Sequence, residues 1–199
     1  MAALGELWQG GGKGYESLVM VTLGTGVGAG VIVNRKMVSG AFGAGGEIGH
    51  MPVAEPEDEP DACGCGKRGC LEQYASANGI ARMAKKYASA HPETALGKFS
   101  NITSKDVFDL AAAGDKDAGI IVEQFGKTLG RALAAVSSVV DPEAYVIGGG
   151  VSKAGSVVTD VVAKYYREYA FHASRGTAFS LATLGNDAGM YGAAYLLRS

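Results

Sequence analysis

Gly43-Ala44-Gly45-Gly46-Glu47-Ile48-Gly49-His50, followed after an acidic segment by Cys63-Gly64-Cys65-Gly66-Lys67-Arg68-Gly69-Cys70-Leu71-Glu72, holds all three cysteines of the 199-residue chain. An odd, tightly spaced set is a poor disulfide framework, because one thiol is left over and so short a bridge is strained. The same set is a good metal clip. Cys63, Cys65 and Cys70 with His50 make a Cys3His shell, a standard closed tetrahedral set for zinc. Glycines at 64, 66 and 69 permit the sharp backbone turns that bring three sulfurs to one point. Four ligands and no open position make such a zinc structural rather than catalytic. The plainer alternative is three incidental buried thiols.

Two carboxylates flank the clip, Glu47 three residues before His50 and Glu72 two after Cys70. Held on a rigid support, they present several acceptors to a polyhydroxylated ligand. The spacing fits solvated side chains equally well, and Glu72 also fits a carboxylate at a helix start.

Upstream, residues 18–23 form an almost wholly apolar run that predicts a buried strand. Gly24-Thr25-Gly26-Val27-Gly28-Ala29-Gly30 follows, and residues 31–33 read as a second strand. The pattern loosely matches a dinucleotide fingerprint, but β-branched strand follows where that motif needs a helix, and there is no Walker A sequence. A hairpin whose glycines let backbone N–H groups approach a phosphate fits better; a glycine-rich hairpin with no ligand is the alternative. Residues 36–38 predict a short third strand, 40–46 a mobile loop, and 51–53 another strand. The acidic, proline-bearing residues 55–61 read as a solvated excursion with no ligand role.

Downstream, apolar periodicity predicts helices over 71–87, over 104–112 with Ser104 as cap, and over 117–140, stopped by Asp141-Pro142. Residues 144–147 read as a buried strand ending in Gly148, Gly149 and Gly150, a place where open α/β sheets bind ligands. A tight strand-to-helix turn without a ligand is as good an account of those three glycines. Residues 156–170 predict a helix, 178–184 a last strand and 188–197 a last helix. His91 and His172 are isolated. Met1 to Trp8 reads as a helix with no cap before it.

Glu47-Ile48-Gly49-His50, Cys63-Gly64-Cys65-Gly66 and Gly69-Cys70-Leu71-Glu72 resemble the signature of the ROK family of repressors and sugar kinases, most of all its bacterial glucokinases. The resemblance runs from Ala2 to Leu197. It implies an α/β chain of the actin-like ATPase (ribonuclease H-like) fold, with a mixed sheet and packed helices. It implies zinc on His50, Cys63, Cys65 and Cys70, and sugar contacts from Glu47, His50 and Glu72. The glycine hairpin (Gly24, Thr25, Gly26 and Gly28) matches a phosphate-binding turn of the actin-like sugar kinases, and Gly148 to Gly150 matches their adenosine motif. The implied activity is transfer of the γ-phosphoryl of ATP, with Mg2+, to a hexose, glucose at its 6-hydroxyl above all; the other class is the sugar-sensing domain of a ROK repressor. In the family's kinases the first helix follows an Asn-Asp pair whose Asp is the base. Residues 1–199 therefore read as one C-terminal lobe, without the N-terminal lobe that carries a phosphate loop and that Asp, and as inactive alone. A homodimer is the family's habit.

Composition fits. The formal net charge is −2, from 18 basic and 20 acidic residues, with no dense basic run to mark a nucleic-acid surface. No apolar run approaches a membrane span and the start lacks a signal-peptide pattern. Thiolate ligands point to the reducing cytoplasm. Thirty-one glycines, clustered in loops, suggest backbone approaching ligands.

Overall fold

The computed structural model describes residues 1–59 and 61–197. Its elements run α1 (Ala2–Gln9), β1 (Leu18–Leu23), β2 (Val27–Val33), β3 (Lys36–Met37), α2 (Glu72–Ala75), α3 (Ala77–Ala90), α4 (Ser104–Ala112), α5 (Lys116–Val140), β4 (Ala144–Gly148), α6 (Ser156–Tyr169), β5 (Ala178–Leu181) and α7 (Ala188–Leu196). The strands form one mixed sheet in the order β3-β2-β1-β4-β5. The hairpin pairs β1 with β2 antiparallel, whereas β1, β4 and β5 run parallel. Thr22 pairs with Gly148, so β1 and β4 end side by side at their carboxyl ends.

Side chains alternate across the pleat. Val19, Val21 and Leu23 of β1 and Tyr145 and Ile147 of β4 pack into the larger core with the inward faces of α3–α6. Leu18, Met20, Ala144 and Val146 point the other way, onto Ala3, Leu4 and Leu7 of α1. Both faces of the central strands are thus covered, which is why they read as continuous apolar runs. Under α5, Ser137 Oγ lies 2.8 Å from the hydroxyls of both Tyr145 and Tyr166, and Tyr166 donates onward to the Ser174 carbonyl at 2.8 Å. Every polar atom of that buried relay has a partner, and burial pushes the Tyr145 hydroxyl well above its usual range.

Several sequence expectations shift. The helix expected over 71–87 is two helices, α2 and α3, split at Ser76. That residue is extended (ψ 166°) and its hydroxyl caps α3 by accepting from Gly79 N at 3.0 Å. The cap of α4 is Thr103 instead of Ser104, in a reciprocal capping box with Asp106. The long helix starts at Lys116, one residue before the expected 117, on an Asp115 cap. The strand expected over 51–53 shrinks to a single bridge between Pro52 and Cys70. β5 stops at Leu181 because the amides of Thr183 and Leu184 turn to the buried carboxylate of Glu6, at 3.1 and 2.9 Å.

In the acidic segment residues 55–58 and 61 are exposed as expected, and Glu59 is the departure. Glu59 is 1% exposed and makes a two-pronged ion pair with Arg82, both prongs 2.8 Å. Burial alone would raise its carboxyl, but hydrogen bonds from Tyr74 and Arg82 outweigh that and hold it below the usual carboxylate range. Electrostatic pairing over a distance of 23 residues leaves no mark in local hydropathy.

Candidate functional site

His50 closes a short 3-10 turn over Ile48–His50, whose buried Ile48 and Gly49 seat it against β2. The cysteine loop is tied to the same place by Val53 N donating to the Gly69 carbonyl (2.8 Å) and Leu71 N to that of Met51 (2.9 Å). These ties bring His50, Cys63, Cys65 and Cys70 together, with one donor atom of each lying within 4.8 Å of all the others. Cys63 Sγ is 3.6 Å from His50 Nδ1, and Cys65 Sγ is 3.6 Å from Cys70 Sγ. Metal–sulfur bonds of about 2.3 Å and a metal–nitrogen bond of about 2.0 Å place tetrahedral ligand atoms about 3.5–3.8 Å apart. The four residues therefore fit a tetrahedral metal ion. Burial pushes the Cys63 thiol up to about 12 and raises Cys70, whereas a hydrogen bond from the Lys67 amide lowers the exposed Cys65. Metal binding at such thiols releases their protons.

Glu72 reaches the rim of the cluster. Its Oε1 accepts from Cys63 Sγ at 2.8 Å and lies 3.8 Å from His50 Nδ1, while about a fifth of the side chain faces solvent. Glu47 behaves otherwise: it is exposed, and its carboxylate makes no hydrogen bond among the described residues.

The glycine hairpin is docked on this arrangement. Gly24, Thr25 and Gly26 form the turn between β1 and β2, whereas Gly28 lies inside β2 opposite Thr22. Ala77 N donates to the Gly24 carbonyl (2.8 Å) and Asn78 Nδ2 to that of Thr25 (3.1 Å). A Cβ at Gly26 would stand 2.7 Å from Glu72 Oε2, so only glycine allows the carboxylate this close. Asn78 was not singled out by the sequence reading. Its signal was there in Ser76-Ala77-Asn78-Gly79, where a cap residue and a turn-like Asn-Gly interrupt an apolar stripe.

Gly148, Gly149 and Gly150 close β4 beside the hairpin. Gly149 has φ +87°, and a Cβ there would meet the backbone of Leu23, with its oxygen at 2.5 Å. The two glycine turns are thus in backbone contact at the carboxyl ends of adjacent parallel strands, where α/β sheets hold ligands. A cavity of about 450 Å3 joins hairpin and clip, lined by Thr25, Gly26, Cys63, Glu72, Asn78 and Arg82 among others. A larger cavity, about 670 Å3, lies between residues 51–56 and α5 and holds none of the candidate site residues. The smaller cavity is lined by four of the candidate residues, Thr25, Gly26, Cys63 and Glu72, whereas Glu47, His50 and Gly148 to Gly150 lie outside its lining. No helix of the described residues is long and apolar enough to cross a membrane.

Paired glycine turns at strand ends thus lie beside a Cys3His cluster with a carboxylate at its rim, on one mixed α/β sheet. A model of the ROK family matches residues 1–199. The chain is 43% identical over 203 residues to a glucokinase of Halalkalibacterium halodurans, covering 100% of this chain and 61% of that protein. The crystal structure of a ROK family glucokinase from Streptomyces griseus in complex with glucose and AMPPNP superposes with a TM-score of 0.86 at 37% identity, over 98% of this chain and 64% of that one. A ROK family transcriptional regulator, a homologue of the Escherichia coli MLC protein, matches at a TM-score of 0.84 and 28% identity, over 99% of this chain and 49% of that one. The chain belongs to the ROK family and has the actin-like ATPase fold of its sugar kinases. It spans less than two thirds of the length of the curated glucokinases it matches.

Proposed function

We propose that this chain supplies the sugar- and nucleotide-binding lobe of an ATP-dependent hexose kinase, with glucose as acceptor. The supporting observation is the seating of the hairpin turn, through Ala77 and Asn78, on the start of α3, directly after the short α2 that carries Glu72. Phosphoryl transfer is mostly positioning and charge stabilisation, so a kinase must hold phosphate and acceptor hydroxyl in fixed register. Direct hydrogen bonds between their two carriers do that.

In this reading the backbone around Gly24, Thr25, Gly26 and Gly28 faces the phosphates, and Gly148, Gly149 and Gly150 let the adenosine lie against main chain. Glu47, His50 and Glu72 orient the sugar hydroxyls; Nδ1 of His50 turned to the clip leaves Nε2 for the sugar. Zinc on His50, Cys63, Cys65 and Cys70 fixes the shape of this support and takes no part in the transfer, and Mg2+ enters with the nucleotide. The base that takes the hydroxyl proton is the family's Asp, which we place in a preceding lobe. Thiolate ligands require a reducing compartment, and we place the protein in the cytoplasm on that ground.

Replacing Glu72 by glutamine removes a charge-assisted acceptor worth about 1.5–3 kcal/mol, so hexose affinity is expected to fall about 10- to 100-fold with zinc retained. Calorimetric titration with glucose measures it; unchanged affinity would remove Glu72 from the sugar site.

A coupled ATP-consumption assay with glucose tests the whole reading, on residues 1–199 and on a version extended upstream through the family's Asn-Asp pair and first lobe. Turnover by the extended protein alone is the expected result. Turnover by the short chain would show that the base lies within it. Neither turning over, with no thermal protection by ATP, would support the second reading, a repressor's sugar-sensing domain. That reading shares the clip and carboxylates and is kept by the likeness to the transcriptional regulator. The paired glycine turns favour the kinase, since a sensor has no need to hold ATP.

A further inference from the structure

Arg82, the partner of buried Glu59, lines the cavity between the clip and the hairpin. Arg82 Nη1 donates to Glu59 Oε1 (2.8 Å) and Asp61 Oδ2 (3.5 Å), and Nη2 to Glu59 Oε2 and the Gln73 carbonyl, both 2.8 Å. Its guanidinium also lies over the Tyr74 ring, 5.5 Å from the centroid. Although Arg82 lines the ligand cavity, all four Nη hydrogens are committed, so it is poorly suited to gripping a phosphate. Gln73 extends the network: its Nε2 donates to the Asp61 carbonyl (2.9 Å) and its Oε1 accepts from Cys70 N (3.1 Å). Asp61 is two residues before Cys63, and Cys70 is two before Glu72. Both arms of the cysteine loop are therefore fastened to α2 and α3 by protein groups alone.

We propose that Glu59 and Arg82 are positioning residues for the metal clip. Their ion pair, continued through Gln73, sets the spacing of the arms that bear Cys63 and Cys70, so that zinc meets ligands already in place. The proposal rests on reading the Cys3His cluster as a metal site. A buried ion pair is weak evidence for stability, since apolar residues of similar volume often replace one at no loss. Holding a geometry is a use that an apolar pair does not reproduce. Groups that orient metal ligands typically change metal affinity about 10- to 100-fold when removed.

The test is zinc affinity, measured on residues 1–199 with Zn2+ as the probe against a chromogenic chelator, well below the melting temperature. The variants are Glu59→Leu with Arg82→Met together, which leaves no buried charge unpaired, and Arg82→Lys, which keeps the charge but loses the fork. The double variant is expected to keep its circular dichroism spectrum and bind zinc about 10- to 100-fold more weakly, with the lysine variant weakened less. A purely structural pair would lower the melting temperature and leave zinc affinity unmoved. A folded double variant within twofold of the unmodified chain overturns the proposal; if that variant does not fold, Arg82→Lys is judged by the same criterion. An unmodified chain that binds no zinc overturns the metal reading itself, and the proposal with it.

Discussion

Exchanging Cys70 for serine is expected to cost more than a hundredfold in zinc affinity and to make the melting temperature indifferent to chelators. Cys70 is 1% exposed, and its sulfur lies 3.6 Å from that of Cys65 inside the ligand cluster. A serine hydroxyl does not ionise near neutral pH, so the shell would lose one of its three thiolates. Removing a group that merely orients a ligand costs about 10- to 100-fold, and a ligand itself more. Stability should follow. A ligand present at about 100 times its dissociation constant stabilises by about 2.7 kcal/mol, which the unmodified chain should lose on chelation and the variant should not have to lose. Chelator competition and thermal melts with and without chelator measure both effects. Full zinc loading with unchanged affinity in the Cys70→Ser protein would exclude Cys70 as a ligand.

Gly149→Ala is expected to destabilise the fold by about 2–5 kcal/mol, combining a left-handed backbone penalty of about 1–2 with an overpacking cost of about 1–3. The neighbours leave little room to relax, because the new methyl would meet Leu23 oxygen, carbon and nitrogen at 2.5–2.7 Å, all of them main chain of β1. Making space means moving β4 away from β1 where Thr22 pairs with Gly148. Urea unfolding should show a lower midpoint, and any thermal protection by ATP should shrink by more than the stability loss alone explains. A midpoint close to that of the unmodified chain would mean that the turn adapts, and that Gly149 is present for a reason other than space.

The candidate metal cluster was legible because most of its residues are local in sequence. Cys63, Cys65 and Cys70 fall within eight residues, and the fold brings His50 to them. The strand runs of β1 and β4 were legible for a related reason: burial on both faces leaves an unbroken apolar signature. What escaped depends on partners distant in the chain. Glu59 looked like one more acidic loop residue, since nothing near it announces Arg82. Glu6 likewise gave no sign that it would hold Thr183 and Leu184 at the far end of the chain. The break at Ser76 had a signal in Ser76-Ala77-Asn78-Gly79, but apolar residues on both sides of it read as one helix. Only the hydrogen bond from Ala77 to Gly24 gives that break its purpose, by presenting helix-start groups to the hairpin.

Under the kinase reading, contact between Gly149 and the Leu23 backbone has a practical reach for anyone seeking to change which phosphoryl donor is accepted. A library that randomises Gly149 while leaving the end of β1 fixed will consist mostly of destabilised clones, because the Leu23 backbone leaves no room for a side chain there. Productive variation has to be drawn as matched pairs across the β1–β4 seam, and the unit of selection there is the seam itself.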